Sequence, residues 1–174
     1  GCVVGGDVDI SVSNFSRGLD AGGADVAGGF LADHAVFKTL SLRDAKISCP
    51  VQIRYANVEG DFVGEGLQCN NRAVLDFSQL NAINLRKAKF ERGLSLRAVH
   101  SSSGLPDPRA IQNSDFTGAT FGVDAQFDCA DFSHRRFVAT ANFNSVKFDG
   151  IPRFHESGLH EDTSFANASF RMLV

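Results

Sequence analysis

Residues 114–132 read SDFTGATFGVDAQFDCADF, and a phenylalanine returns in this segment at every fifth or sixth position. The rhythm continues toward the C-terminus, where one leucine takes the place of a ring. The series comprises Phe116, Phe121, Phe127, Phe132, Phe137, Phe143, Phe148, Phe154, Leu159, Phe165 and Phe170. This spacing is too long for an amphipathic strand, which repeats every two residues, and it does not fit a helix, which repeats every 3.6. It predicts a chain that turns a corner every five or six residues and points one large side chain per side toward a central axis.

Four such steps make one coil, so residues about 21 or 22 positions apart are expected to stack in columns. Two columns are predicted in the C-terminal half, one from Phe121, Phe143 and Phe165 and the other from Phe127, Phe148 and Phe170. Extended toward the N-terminus, the same period gives four apolar columns, and every step in the first of them is 20 to 22 residues. The first runs through Ile10, Leu31, Ile53, Leu75, Leu96, Phe116, Phe137 and Leu159. The second holds Phe15, Phe37, Val58 and Leu80 and, after a gap near Ser102, Phe121, Phe143 and Phe165. The third holds Leu19, Leu42, Val63, Leu85, Leu105, Phe127, Phe148 and Phe170. The fourth holds Val26, Ile47, Leu67, Phe90, Ile111, Phe132, Phe154 and Val174.

The columns predict an all-β, four-sided parallel β-helix of about eight coils that occupies residues 1–174 as a single domain. Glycine pairs in residues 1–30 favour a looser N-terminal capping coil. Residues 101–110 have the composition of a loop, and we expect them to distort one side of a coil without dividing the domain.

The residues before each phenylalanine follow a pattern of their own. A small residue often lies two positions before the ring, and Asn or Asp often lies one position before it. The segments Ala130-Asp131-Phe132, Ala141-Asn142-Phe143 and Ala56-Asn57-Val58 carry the pattern. They resemble the pentapeptide-repeat family, whose unit is A-(D/N)-(L/F)-x-x, and the mixed five- and six-residue steps are similar to its Phe-rich branch. The resemblance implies a right-handed, four-sided β-helix.

Composition bounds the function. The 17 basic and 20 acidic residues nearly cancel and give a formal net charge of −3, so direct binding of nucleic acid is not expected. No apolar run approaches the roughly 18 residues that span a bilayer, so no transmembrane segment is expected. The four cysteines form no C-x-x-C pair, which favours reduced thiols and a cytoplasmic location. A secreted or lipid-anchored location is the alternative if Cys2 marks a processed lipoprotein. Cys49 and Cys69 are predicted to be free thiols that lie side by side on consecutive coils.

The sequence offers no ordered set of catalytic groups. His155 and His160 are five positions apart, whereas the histidines of an H-E-x-x-H zinc site are four positions apart. We therefore predict no catalytic, metal or cofactor-binding residues and no enzymatic activity. A basic cluster consists of Arg86, Lys87, Lys89, Arg92 and Arg97. We interpret it through charge ladders of alternating sign on neighbouring strands, such as Arg54, Asp76 and Arg97.

A β-helix with a filled core has no cleft, so three functions stay open. The first is a scaffold that binds a protein partner, or itself, through its faces or an end coil, with Phe170 and Leu173 as candidate contacts. The second follows from the resemblance, since some pentapeptide-repeat proteins mimic DNA and bind type II topoisomerases such as DNA gyrase, inhibiting them or protecting them from quinolones. Asp128 and Asp149, predicted to form an acidic pair on adjacent coils, are candidate contacts for that role. The third is a β-helical segment of a larger secreted or membrane-associated protein.

Overall fold

The computed structural model describes residues 1–100, 113–132, 140–159 and 162–171. Within these residues the chain forms 23 short strands and no helix. Every strand pair is parallel.

In chain order the strands are β1 (Val3–Val4), β2 (Val8–Asp9), β3 (Asn14–Phe15), β4 (Leu19–Asp20), β5 (Asp25–Val26), β6 (Phe30–Leu31), β7 (Val36–Phe37), β8 (Leu40–Ser41), β9 (Lys46–Ile47), β10 (Val51–Gln52), β11 (Asn57–Val63), β12 (Gln68–Cys69), β13 (Arg72–Val74), β14 (Gln79–Asn84), β15 (Lys89–Phe90), β16 (Gly93–Ser95), β17 (Asn113–Asp115), β18 (Thr120–Phe121), β19 (Asp131–Phe132), β20 (Thr140–Asn142), β21 (Lys147–Phe148), β22 (Gly158–Leu159) and β23 (Ser169–Phe170).

The strands stack into a four-sided parallel β-helix of about seven coils. The predicted fold class is confirmed, and the predicted number of about eight coils is corrected. Side 1 holds β2, β6, β10, β13 and β16. Side 2 holds β3, β7, β19, β22 and the first parts of β11 and β14, and side 3 holds β4, β8, β17, β20 and the second parts of β11 and β14. Side 4 holds β1, β5, β9, β12, β15, β18, β21 and β23. The strands are short because each side of the coil is only a few residues long before the chain turns.

Two corners of each coil are tight turns that place one residue in the left-handed region of backbone space. In the turn after side 1, for example, the Ala35 amide donates to the Ala32 carbonyl over 3.3 Å, and His34 between them has φ of 58°. A positive φ at the third residue of a β-turn favours glycine. Tyr55 and Phe77 nevertheless occupy this position, with φ of 55° and 60°. Such a conformation costs on the order of 1 kcal/mol, which other interactions of these residues must offset.

The phenylalanines of the C-terminal coils fill the interior. Phe116, Phe121, Phe127, Phe132, Phe143 and Phe148 are each at most 1% exposed. Phe154 and Phe165 are partly buried and pack against the same core, whereas Phe170 is 51% exposed. Phe137 lies outside the described residues. The stacking of buried rings is the main apolar contact between successive coils in this half.

The predicted C-terminal columns are half right. Phe143 stacks on Phe165 with ring centroids 4.8 Å apart, and Phe148 stacks on Phe170 at 5.1 Å, as expected. Phe121 and Phe127 were predicted to belong to these two columns, but each lies one side further along the coil. Three stacked pairs define the observed columns: Phe116 with Phe143 at 4.6 Å, Phe121 with Phe148 at 5.4 Å, and Phe127 with Phe154 at 4.7 Å.

The reason for the shift is the number of residues in the coil. Arg153 pairs with Gln126, its neighbour on the preceding coil of side 1, so this coil takes 27 residues where 21 or 22 were expected. The preceding coil is longer still, because Gln126 pairs with Ser95, 31 residues earlier. Leu96 is therefore followed in its column by Phe127, and its predicted neighbour Phe116 follows Leu85 on side 3. The two long coils also explain why about seven coils form.

The N-terminal column on side 2 is correct throughout, and the column on side 1 is correct except for Leu31. Phe15, Phe37, Val58 and Leu80 are consecutive on side 2. Ile53, Leu75 and Leu96 follow β10, β13 and β16 on side 1 and are buried.

Four predicted column members in this half are wrong. The column positions predicted for Leu19, Leu31, Val63 and Leu67 are occupied by Ala21, Ala32, Gly64 and Cys69. Each side has two inward positions separated by one outward residue. Phe30, Phe62 and Leu67 fill the first inward position, while Leu31 and Val63 point outward and are only partly buried.

Five further predictions concern residues that the structure does not describe. The loop-like distortion at 101–110 and the column members Leu105, Ile111 and Val174 lie outside the described residues, as does the candidate contact Leu173.

Candidate interaction surface

One corner of the β-helix carries a row of charges of alternating sign. The row follows side 1, one residue after each column member, and we call it the charge ladder. Its members are Asp33, Arg54, Asp76, Arg97 and Asp128, and the next position in the row belongs to His155. The predicted alternation of Arg54, Asp76 and Arg97 is confirmed, and the structure extends it in both directions.

Each aspartate of the charge ladder bonds the coil that follows it. Asp76 is 1% exposed, and its Oδ1 accepts hydrogen bonds from Ser95 Oγ at 2.5 Å and from the Arg97 amide at 3.0 Å. Its Oδ2 accepts from Arg97 Nε at 2.8 Å and from a terminal guanidinium nitrogen at 2.6 Å. Asp33 binds Arg54 through the same set of backbone and guanidinium contacts. One carboxylate therefore satisfies both a backbone donor and a side-chain cation, which holds successive coils in register.

Protonation states in the charge ladder follow from these contacts. Partial burial raises the pKa of Asp33, but the hydrogen bonds and the positive charge of Arg54 outweigh it, and the pKa lies below its ordinary value. Hydrogen bonding to Asp76 and its negative charge raise the pKa of Arg97. Asp33 and Arg97 consequently stay charged at neutral pH.

A row of aromatic rings lies beside the charge ladder, one residue further along each turn. His34, Tyr55 and Phe77 stack on successive coils, and we call them the aromatic ladder. Ring centroids are 5.1 Å apart in both pairs, with interplanar angles of 6° and 8°. Tyr55 is 53% exposed and Phe77 is 44% exposed. Stacking of this kind contributes roughly 0.5–1.5 kcal/mol per pair and so offsets the left-handed backbone.

A shallow depression runs between the aromatic ladder and side 1. Its lining includes Val74 and the three arginines Arg54, Arg72 and Arg97. Arg72 reaches Asp124 with N and O atoms 3.0 Å apart. Gly93 lies between them in the stack, and a Cβ at Gly93 would fall 2.0 Å from the Asp124 carbonyl oxygen. The close approach of the chain at Gly93 therefore allows the ion pair to span two coils.

A second apolar surface lies on the last coil that the structure describes. Ile151 is 75% exposed, Leu159 is 41% exposed and Phe170 is 51% exposed. We call these three residues the terminal apolar surface. Leu159 lies on side 2 and Phe170 on side 4 of this coil. Exposed apolar side chains of this size mark a surface that can bind another molecule.

The predicted acidic pair does not form. Asp128 follows side 1 and Asp149 follows side 4, so they lie at different corners of the β-helix. Asp128 pairs with Arg153 at 2.8 Å, and Asp149 pairs with Lys147 at 3.0 Å. The error has the same cause as the column shift. The predicted pair requires Phe127 and Phe148 to lie in one column, and they lie in different columns.

The basic cluster is dispersed around the coil. Arg86 pairs with Asp115 at 3.7 Å after side 3, Lys89 pairs with Glu91 at 2.6 Å on side 4, and Arg97 pairs with Asp76 after side 1. These cations face different directions and do not form one basic surface.

The cysteines are free thiols, as predicted. Their predicted positions are corrected, because Cys69 points into the core opposite Ile47 while Cys49 lies at the corner that follows Ile47. In the described part of the chain, no group of three His, Cys, Asp or Glu side chains could hold a metal ion. None of the described residues forms a helix long and apolar enough to cross a membrane.

Sequence reasoning missed the aromatic ladder, although a signal was present. His34, Tyr55 and Phe77 are separated by 21 and 22 residues, the same period as the core columns. The aromatic ladder lies two residues after Ala32, Ile53 and Leu75 of the observed side 1 column.

None of the known protein families, curated proteins and solved structures compared with this chain matches it. The likeness to pentapeptide-repeat proteins accordingly rests on the repeat units in the sequence.

Proposed function

We propose that this protein is a non-enzymatic β-helical scaffold that binds a protein partner, or a second copy of itself, through its surface. The observation that carries the proposal is where the large apolar side chains lie. The core is filled by stacked side chains such as Phe116, Phe143 and Leu85, while several other large apolar side chains are exposed to solvent. Exposed apolar side chains at the aromatic ladder and the terminal apolar surface are suited to contacts with another protein.

The terminal apolar surface is the proposed main contact. Leu159 and Phe170 are the last described members of the columns on sides 2 and 4. Phe165 follows Phe143 on side 3 of the same coil and is partly buried against the core. Leu173, the other contact predicted from the sequence, belongs to the same proposal.

The test is to place charges on this surface. We expect Leu159→Asp and Phe170→Asp to abolish self-association, measured by light scattering after size exclusion, or capture of a partner by the immobilised protein. Val3→Asp is the matched control, because Val3 is 81% exposed on the first strand of side 4, at the opposite end. A monomer that captures no partner before and after the substitutions would exclude the proposal, as would equal loss in the Val3→Asp control.

Mimicry of DNA toward a type II topoisomerase is the alternative that the family resemblance implies. The paired states of Asp128 and Asp149 do not favour it, because a DNA mimic needs carboxylates free to replace phosphates. A gyrase supercoiling assay tests it separately. Inhibition or drug protection at micromolar protein would establish the alternative.

A further inference from the structure

The aromatic ladder ends abruptly at Phe77. Its next position belongs to Ala98, which has the same left-handed backbone, with φ of 51°. The coils remain in regular contact here, because the Phe77 amide donates to the Arg97 carbonyl at 2.8 Å and the Ala98 amide donates to the Asp128 carbonyl at 2.9 Å. One face of the Phe77 ring is covered by Tyr55, while the methyl group of Ala98 is too short to cover the other face.

The missing ring leaves a slot of defined height. Cys129 occupies the ladder position after Ala98, also with a left-handed backbone, and its side chain is exposed. Successive coils are about 4.8 Å apart, so the positions of Phe77 and Cys129 are separated by roughly 10 Å. That separation accommodates one planar group stacked on Phe77, at the spacing that the ladder already uses.

The charges around the slot select among planar groups. Asp76 and Asp128 at its inner edge are paired with Arg97 and Arg153. Glu156 is exposed on the following coil, and its Oε2 accepts a hydrogen bond from the Cys129 thiol at 3.7 Å.

The pKa of the Cys129 thiol is raised above its ordinary value. Loss of solvent raises its pKa first, and the neighbouring Glu156 and Asp128 carboxylates raise it further. Arg54, Arg72 and Arg97 beside Phe77 are each paired with an aspartate. No described residue forms an ion pair with the Glu156 carboxylate, so a cation is the complementary occupant of the slot.

We propose that the slot above Ala98 binds an arginine side chain of a protein partner, with the guanidinium stacked on Phe77 and directed toward Glu156. Arginine is planar, carries a permanent charge and stacks on aromatic faces, whereas lysine has no planar group. This inference rests on the proposed function, since it names one group that the partner presents.

The probe for the experiment is N-acetyl-argininamide, titrated into the protein and followed by NMR. We expect saturable shifts of the Ala98 methyl and the Phe77 ring, and an upfield shift of the δ-methylene protons of the probe from the ring current. The dissociation constant is expected on the order of 1 mM for a ligand of this size. N-acetyl-citrullinamide has nearly the same shape without the charge, and N-acetyl-lysinamide has the charge without the plane. Both should bind several-fold more weakly.

Variants locate the binding to the slot. Ala98→Phe should extend the aromatic ladder and eliminate binding, because the chain's own ring then fills the space. Lys87→Phe is the matched control, since Lys87 has φ of 56° at a corner on another side and the new ring leaves the slot open. Glu156→Gln should weaken binding by about threefold, as for an exposed charge pair.

Three results would overturn the inference: no saturable shift in a folded protein, unchanged binding in Ala98→Phe, or equal affinity for the citrulline and arginine probes. They are separable from failure of the scaffold proposal. Probe binding does not require the terminal apolar surface, so Phe170→Asp should leave it intact. A partner lost on Phe170→Asp without any probe binding would refute the slot alone.

Discussion

The C-terminal and N-terminal coils fill the same four-sided core in different ways. In residues 113–171 the first inward position of a side is usually small and the second holds a ring, as in Ala119-Thr120-Phe121 and Ala141-Asn142-Phe143. In residues 1–100 the order is reversed at Phe30-Leu31-Ala32 and Phe62-Val63-Gly64. The packed interior requires a certain volume on each side, and either inward position can supply it. The repeat can therefore be recognised in the sequence only where the large side chain occupies the same inward position on every side.

The largest expected effect compares two residues of one column. Phe143 lies between Phe116 and Phe165, with ring centroids 4.6 and 4.8 Å away, and Leu85 lies earlier in the same column on side 3. Phe143→Ala should lower the free energy of unfolding by about 3–5 kcal/mol, because it leaves a cavity among rings. Leu85→Ala should cost about 2–3 kcal/mol, since fewer atoms are removed.

Urea unfolding monitored by circular dichroism measures both changes. Lys46→Ala on the outward face of side 4 is a control for general effects of substitution. A larger loss for Leu85→Ala than for Phe143→Ala would contradict the view that ring stacking dominates the C-terminal core.

A second prediction concerns variants that exchange the large and the small inward residue on one side of a coil. Phe62→Ala should leave a cavity, and Gly64→Phe should overpack the core, because even a Cβ at Gly64 would lie 2.7 Å from Leu85 Cδ2. The double variant restores the volume and places it as in the C-terminal coils. We expect it to be more stable than the sum of the two single effects predicts, by about 1 kcal/mol.

A double-mutant cycle on unfolding free energies gives this coupling. The control cycle combines Phe62→Ala with Phe121→Ala, which lies on another side and coil. Strict additivity of the size exchange would show that the order of sizes is fixed by the backbone of each coil.

The smallest expected effect concerns pH and the charge ladder, which runs through both halves. The pKa of Asp33 is lowered in the folded state, so its contribution to stability is present above the unfolded pKa of about 3.9 and is lost as pH falls through the folded pKa. Asp33→Asn should thus be less stable than the native chain at pH 7, and the difference should shrink below pH 4. Thermal unfolding at pH 7, 5, 4 and 3 measures the difference in stability between the variant and the native chain. Asp25→Asn is the control, because Asp25 is exposed on the outward face of side 4. A difference that is constant with pH would contradict the role of the Asp33 charge.

The candidate surface was predictable only in part. The alternation of Arg54, Asp76 and Arg97 follows from the period of the columns, because all three lie one residue after a column member. The pairing of Asp128 and Asp149 was predicted wrongly, since it assumed coils of equal length where one coil has 27 residues. The open face of Phe77 could not be anticipated, because it depends on which residue the next coil places above the ring.

The sequence by itself determined that the chain coils with four sides around an apolar axis. It could do so because each ring must return to the interior after every corner, which imposes a period of five or six residues that no helix or single strand shares. Only the tertiary structure decided which residues are neighbours from one coil to the next. That choice is made by backbone hydrogen bonds between strands, such as those joining Ser95 to Gln126 and Gln126 to Arg153, and they align strands whatever the number of residues between them. The columns, the charge ladder and the slot beside Phe77 all follow from that register.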